Sequence, residues 1–304
     1  MDLNFDLNNI RTIEFGIGLD ENDGQRFCCM VVDANVQRVL REMAVATRNT
    51  MCELDNDPPR YDPSEKYEAS EYVQLPLDDE LARRIQDLHK ASNLPIDSTA
   101  LADPSKIFCY FARMTDAKGR RLTALRRAVQ FKGILKNRLI CVITDALKLI
   151  EDKVFKLDKD FDLLIDASHV HILRPSAFEF AGNLQEAVLA AVPRNISAIQ
   201  GDLTFVDLAP VQDYACRHPR AARYLASIRS QKQTENIDKG ALKEACMSTG
   251  VGIEEVDDVI IIREGQVIGF LEVLDRRRYE VELVKNSSEQ FRATSRRKII
   301  RGRS

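Results

Sequence analysis

The chain has 304 residues, of which 44% are apolar and 30% charged, a composition typical of a folded globular protein rather than a disordered one. No uncharged apolar run approaches the ~18 residues that a membrane-spanning helix needs, and the acidic beginning of the sequence lacks the layout of a signal peptide. The seven cysteines form no Cys-X-X-Cys motif, which predicts free thiols in a cytoplasmic protein and argues against a zinc module or a disulfide framework.

The first elements along the chain predict a hairpin followed by a helix. RTIEFGIG (Arg11–Gly18) and RFCCMVVD (Arg26–Asp33) have the apolar, β-branched composition of strands and are separated by turn residues. Asp33 can cap a helix that runs to about Asn49.

The segment after this helix, residues 53–71, contains three prolines and many charges and is typical of a linker. A second helix, with an apolar stripe, begins near Asp78. Together these elements predict an acidic α/β unit over residues 1–104.

From Lys106 onward, short strand patterns follow one another closely and predict a mostly antiparallel, hairpin-linked sheet. The six candidate strands are KIFCYFARM, RLTALRRAVQF, RLICVIT, KVFKL, FDLLID and SHVHILR. Helical patterns dominate from Ser176 to about Ser248, and DDVIIIREGQVIGFLEVL and RYEVELV predict strands again. The fold class is therefore predicted as α+β, with an α+β domain over residues 105–290 and a basic tail over residues 291–304.

The stretch KVFKLDKDFDLLIDASHVHILRPSAFEF (Lys153–Phe180) is dense in acids and contains a His-X-His pair. On a strand, His169 and His171 share one face at a spacing that metal sites use. The further ligands of the metallo-hydrolase and two-histidine phosphodiesterase patterns are missing, which favours a polar, half-exposed strand face.

The acids of the same stretch also have structural explanations. Asp158, Asp160 and Asp162 lack the glycine and the final glutamate of a calcium loop and are predicted to be solvated turn residues. Ser176 and Glu179 have the spacing of a helix capping box. A nuclease site over Asp145 and Glu151-Asp152-Lys153 is the enzymatic alternative, although the spacing is short.

The charge distribution carries the main functional signal. Residues 1–100 hold 20 acids and 10 bases (−10), whereas residues 101–304 hold 27 acids and 34 bases (+7). Residues 117–144 contain no acid and eight bases: Lys118, Arg120, Arg121, Arg126, Arg127, Lys132, Lys136 and Arg138. Crowded like charges repel one another, and a bound polyanion relieves that repulsion.

A second acid-free run, residues 214–234, places Arg220 and Arg223 at helical spacing, and the tail adds further bases. These runs predict binding of nucleic acid through its backbone, because no helix-turn-helix with a basic recognition helix is present. The alternative is that the basic residues pair with the acidic N-terminal part of the same chain or of a second copy.

The stretch around the His-X-His pair resembles the KwaB-like family, which provides the B subunits of the Kiwa anti-phage defence system. The resemblance covers about residues 105–285 and is densest over 150–182. It is carried by Phe155, Leu157, Phe161, Asp162, Ile172, Leu173, Phe178 and Glu179.

This resemblance implies a cytoplasmic, dimeric subunit that binds DNA without sequence preference beside a membrane protein that responds to phage attack. It transfers no catalytic residue and no cofactor to this chain. The expected function is therefore a DNA-binding defence subunit, with a metal-dependent nuclease or phosphodiesterase as the alternative.

Overall fold

The computed structural model describes residues 3–21, 24–54, 57–67, 71–97, 99, 106–128, 141–143, 147–149, 155–284 and 287–293. The chain forms two compact units. Unit 1 consists of Met1–Tyr61 and Tyr67–Leu184, and unit 2 of Asp62–Lys66 and Gln185–Ser304.

Unit 1 contains nine described strands. They are β1 (Ile10–Glu21), β2 (Gly24–Met30), β3 (Val73–Pro76), β4 (Ile107–Asp116), β5 (Arg121–Arg127), β6 (Cys141–Ile143), β7 (Leu147–Leu149), β8 (Leu163–Ile165) and β9 (His169–Ile172). Seven of them form one antiparallel sheet with the strand order β2-β1-β4-β5-β8-β9-β3. The two short strands β6 and β7 pair separately.

Helices cover both faces of this sheet. Its helices are α1 (Ala34–Leu54), α2 (Arg83–Lys90), which follows a 3-10 turn at Glu80–Ala82, and α3 (Pro175–Gly182). The α1 face buries Tyr110, Ala112 and Ala124 in one apolar cluster with α1. On the opposite face, His89 of α2 lies 2.9 Å from the Thr123 hydroxyl. Coverage on both sides explains why β4 is buried along nearly its whole length.

The predicted hairpin and helix cap are confirmed, and α1 extends past the expected end at Asn49 to Leu54. The Asp33 carboxylate accepts a hydrogen bond from the Val36 amide at 2.8 Å, as an N-cap residue does.

The boundary expected at residue 104 does not divide the fold, because β1 pairs with β4 along most of its length. The compact units instead divide the chain between Leu184 and Gln185, and residues 62–66 of the expected linker belong to unit 2. Local turn and proline signals do not reveal strand pairing between distant residues.

Unit 2 is mainly helical. Its helices are α4 (Gln185–Ala190), α5 (Val192–Asp202), α6 (Ala209–Ala215), α7 (Pro219–Ser230), α8 (Lys239–Ser248) and α9 (Val267–Leu274). Its strands are β10 (Val206–Asp207), β11 (Glu254–Val256), β12 (Val259–Ile261), β13 (Arg278–Val284) and β14 (Ser287–Arg292). The first three strands form a small sheet, the last two a hairpin, and the apolar faces of α7 and α9 meet in one core. The predicted α+β class is confirmed, with a large antiparallel sheet and a helical C-terminal part.

Two of the predicted strands are wrong. QVIGFLEVL, expected as a strand, forms α9, since a short continuous apolar run fits a buried strand and a buried helix equally well. KVFKL is also not a strand over its described residues 155–157.

The helices predicted from Ser176 onward are present. The first of them, α3, ends at Gly182, where Asn183 adopts a left-handed conformation with φ of 55°.

Among the described residues, the structure contains no helix that is both long enough and apolar enough to cross a membrane.

The buried His89 predicts a measurable acid sensitivity of unit 1. Burial, with Arg121 nearby, lowers the pKa of His89 from 6.5 to about 4. Between pH 6.5 and pH 4, His89 is protonated in the unfolded chain but neutral in the folded chain. The free energy of unfolding is therefore unaffected by His89 above pH 6.5 and falls as the pH drops towards 4. We expect the total loss over this pH range to be about 3 kcal/mol. Urea unfolding at pH 7 and pH 4.5 should show a smaller pH effect in His89→Gln than in the wild type; equal effects would contradict the assignment.

Candidate nucleic-acid interface

The prediction that Asp158, Asp160 and Asp162 are solvated turn residues is wrong. Asp160 and Asp162 are buried, and all three carboxylates surround the Arg126 guanidinium. The distances from Arg126 nitrogens are 3.2 Å to Asp158, 3.1 Å to Asp160 and 2.7 Å to Asp162. Arg126, expected to contact nucleic acid, is therefore enclosed by acids of its own unit.

Asp162 is the centre of this network. Arg174 donates to it at 3.0 Å and to Asp160 at 2.9 Å, and the Arg127 amide donates at 2.7 Å. Burial raises the pKa of Asp162 even though both guanidinium groups oppose that rise. Three carboxylates are held by Arg126 and Arg174, and Lys156 Nζ lies 3.3 Å from Asp158, so the network has no surplus positive charge for a ligand.

Arg120 and Arg121 also have partners within unit 1. Arg120 donates through Nε to the buried Asp116 carboxylate at 2.7 Å and through Nη1 to Asn4 Oδ1 at 3.0 Å. Arg121 Nη1 lies 2.8 Å from the His89 carbonyl oxygen and 2.9 Å from that of Ala91. A cation at these carbonyls stabilises the C-terminal end of α2.

The other residues of the first basic run have different environments. Lys118 lies exposed in the turn between β4 and β5, and Arg127 lies exposed at the end of β5. The Arg127 guanidinium sits 4.1 Å from the ring centroid of Phe180, a cation–π contact. Lys132, Lys136 and Arg138 lie outside the described residues, as do Asp145 and residues 151–153 of the nuclease alternative.

The histidine pair does not form the half-exposed polar face that the sequence predicted. His171 is buried, with Nδ1 2.6 Å from the Tyr72 hydroxyl and Nε2 3.4 Å from Asp166 Oδ2. Burial alone would raise the pKa of Asp166, but His171 and two backbone amides lower it below its usual range. Over the described part of the chain, no three His, Cys, Asp or Glu side chains are grouped to hold a metal.

The capping box predicted at Ser176 is wrong. Arg174 is the N-cap residue of α3 without a side-chain cap, and Pro175 is the first helical residue. Glu179 is instead buried and accepts a hydrogen bond from the Tyr61 hydroxyl at 3.0 Å.

In unit 2, three arginines surround one buried carboxylate, that of Glu272, which is 1% exposed. Glu272 Oε1 lies 2.9 Å from Arg220 Nη2 and 2.6 Å from Arg292 Nη2, and its Oε2 lies 3.0 Å from Arg278 Nε. The Tyr224 hydroxyl adds a hydrogen bond to Oε1 at 3.1 Å. We call these five residues the Glu272 cluster.

The Glu272 cluster carries surplus positive charge at the surface. Three guanidinium groups against one carboxylate leave a charge of +2. The side chains of Arg220, Arg278 and Arg292 are 55%, 30% and 50% exposed, so the charge faces solvent. The electrostatic field of this surplus positive charge attracts phosphate groups.

The sequence points to Arg220 through the second acid-free run and to Arg292 only as a base of the tail, whereas Arg278 lies outside both segments. A usable signal was present: Glu272 is the only charged residue of the apolar helix α9, and a lone buried acid requires cationic partners.

The remaining bases of the second run differ in their surroundings. Arg223 is exposed on α7, one turn after Arg220. Arg229 contacts Ser64 Oγ at 3.0 Å and pairs with Glu65, which fixes residues 62–66 against α7. Arg217 pairs with Glu264 at 3.0 Å, with both side chains largely exposed.

Replacing Arg126 should destabilise unit 1, whereas replacing its neighbour Arg127 should not. Arg126→Met leaves buried carboxylates short of a partner, and we expect a loss of about 3 kcal/mol or more in unfolding free energy. Arg127→Met removes one exposed cation–π contact and should cost less than about 1 kcal/mol. Urea denaturation of the two variants provides the comparison, and equal losses would contradict a structural role specific to Arg126.

Comparison with known proteins identifies the family. No curated protein and no solved structure matches the chain. The family model described as Kiwa protein KwaB-like matches residues 106–283, which is 178 of the 304 residues and includes parts of both compact units. The chain therefore belongs to the KwaB-like family of the Kiwa anti-phage defence system.

Proposed function

We propose that this protein is a Kiwa defence subunit that binds DNA without sequence preference, and that the Glu272 cluster and Arg223 form its main phosphate-binding surface. Family membership supports the role in defence. The observation that carries the DNA-binding part is the surplus charge of the cluster, with Arg220 and Arg292 at least half exposed.

Arginine is well suited to this task, because its planar guanidinium presents several N–H donors to phosphate oxygens. Arg220 and Arg223 lie on the same helix at a spacing of three residues, so their side chains project from neighbouring positions. A strand of phosphates following α7 therefore meets more than one cation.

The first basic run adds further candidate phosphate contacts, with Lys118 and Arg127 near opposite ends of β5. Lys118 and Arg127 are the exposed described members, and Lys132, Lys136 and Arg138 belong to the same proposal. Arg120, Arg121 and Arg126 bond to groups within unit 1, so we assign these three residues a structural role and not a DNA-binding one.

The mode of binding is through the nucleic-acid backbone. After α8, residues 254–256 form the strand β11 and carry two glutamates, where a helix-turn-helix protein has its recognition helix. Contacts to phosphates position a protein on DNA but carry no direct sequence information.

The membrane-protein partner, the homodimer and a cytoplasmic location with recruitment to the inner membrane belong to the same proposal. Family membership supports a partner subunit, since Kiwa is a system of more than one component.

A salt titration of DNA binding tests the function. Each phosphate contact releases counterions, so the logarithm of affinity should fall linearly with the logarithm of salt concentration. Arg220→Gln combined with Arg223→Gln should lower the slope by about 2 and weaken binding to all sequences alike. Mobility shifts between ~50 and ~200 mM salt measure both quantities.

The matched control is Arg263→Gln, which removes an exposed arginine of unit 2 that pairs with Glu254 and is not a member of the cluster. It should leave the slope unchanged. No shift at any salt concentration, or an affinity independent of salt, would contradict the proposed function.

A further inference from the structure

We propose that the Glu272 cluster prefers a phosphate monoester, the chemical group found at a 5′-phosphorylated DNA end and on a free nucleotide. The inference rests on the proposed function and specifies which kind of phosphate the same arginines select.

Charge balance is the first argument. The cluster has a surplus of +2 after Glu272 is counted. A phosphodiester within a DNA strand carries −1, whereas a phosphate monoester carries about −1.5 to −2 near pH 7. Only the monoester neutralises the surplus with a single group.

The available hydrogen-bond donors are the second argument. Each guanidinium has five N–H donors, and Arg292 uses one of them in its bond to Glu272. Arg220 bonds Glu272 and the Tyr224 hydroxyl, at 2.9 and 3.1 Å, through a single nitrogen. Several donors on two half-exposed side chains are left for the three terminal oxygens of a monoester.

Preorganisation is the third argument. Arg278 and Arg292 are directly opposite each other in the β13–β14 hairpin, where like charges repel. The buried Glu272 on α9 holds them together, and Arg278 is fixed further by a 3.0 Å bond to the Thr249 carbonyl oxygen. Side chains already held in place lose little further entropy when an anion binds.

The test uses one short blunt-ended duplex, labelled at a 3′ end and prepared with either 5′-phosphates or 5′-hydroxyls. Fluorescence anisotropy with the full-length protein should show at least about tenfold tighter binding of the phosphorylated duplex. Arg292→Gln lowers the surplus to +1 and should abolish the preference. Arg263→Gln, outside the cluster, should retain it.

Thermal melting of Arg292→Gln checks that the variant is folded, and Arg220→Gln replaces it if it is not. Equal affinity of wild-type protein for both duplexes would overturn the monoester preference while leaving DNA binding intact. If neither duplex binds, the proposed function fails, and calorimetry with dAMP decides the monoester site by itself: no heat of binding would overturn it.

Competition with dAMP separates the two sources of the group. Displacement of the phosphorylated duplex by dAMP from the wild type supports a site that accepts free nucleotides. A retained 5′-phosphate preference without displacement supports a site for DNA ends.

Discussion

The burial of carboxylates beside apolar cores is the constraint on which much of this structure depends. A buried carboxylate is costly unless cationic and hydrogen-bonding partners surround it. Asp162 in unit 1 and Glu272 in unit 2 both meet this requirement with arginines. Arg126 of β5 and Arg174 at the start of α3 hold Asp162, while arginines of α7, β13 and β14 hold Glu272. In both units, buried acids thus connect separate secondary-structure elements.

The ratio of acids to arginines gives the two clusters different roles. In unit 1, three aspartates share Arg126 and Arg174, so the arginines are fully used in holding the fold. In unit 2, one glutamate faces three arginines, which leaves net charge at the surface. The number of arginines in a stretch of sequence is therefore a poor predictor of nucleic-acid binding. The partners of each arginine in the fold decide whether its charge is available to a phosphate.

The sequence alone predicted local features well and long-range pairings poorly. The β1–β2 hairpin and the Asp33 cap follow from residues close together in the chain, and both are confirmed. The pairing of β1 with β4 and the enclosure of Arg126 join residues that are about 30 to 100 positions apart, and neither turn residues nor charge counts report such contacts. The segment of helix α9 predicts a strand as readily as a helix, because its apolar residues have no period that separates the two possibilities. In the candidate site, the second acid-free run identified Arg220 and Arg223, whereas Arg278 and Arg292 come together with Arg220 only through folding.

Hydrogen exchange of the protein with and without DNA tests most directly which cluster binds. The account predicts added protection at the start of α7 and in the β13–β14 hairpin, and unchanged exchange around the enclosed Arg126, over residues 122–126 and 158–165. Protection centred on residues 122–126 and 158–165, with α7 and the hairpin unaffected, would contradict it.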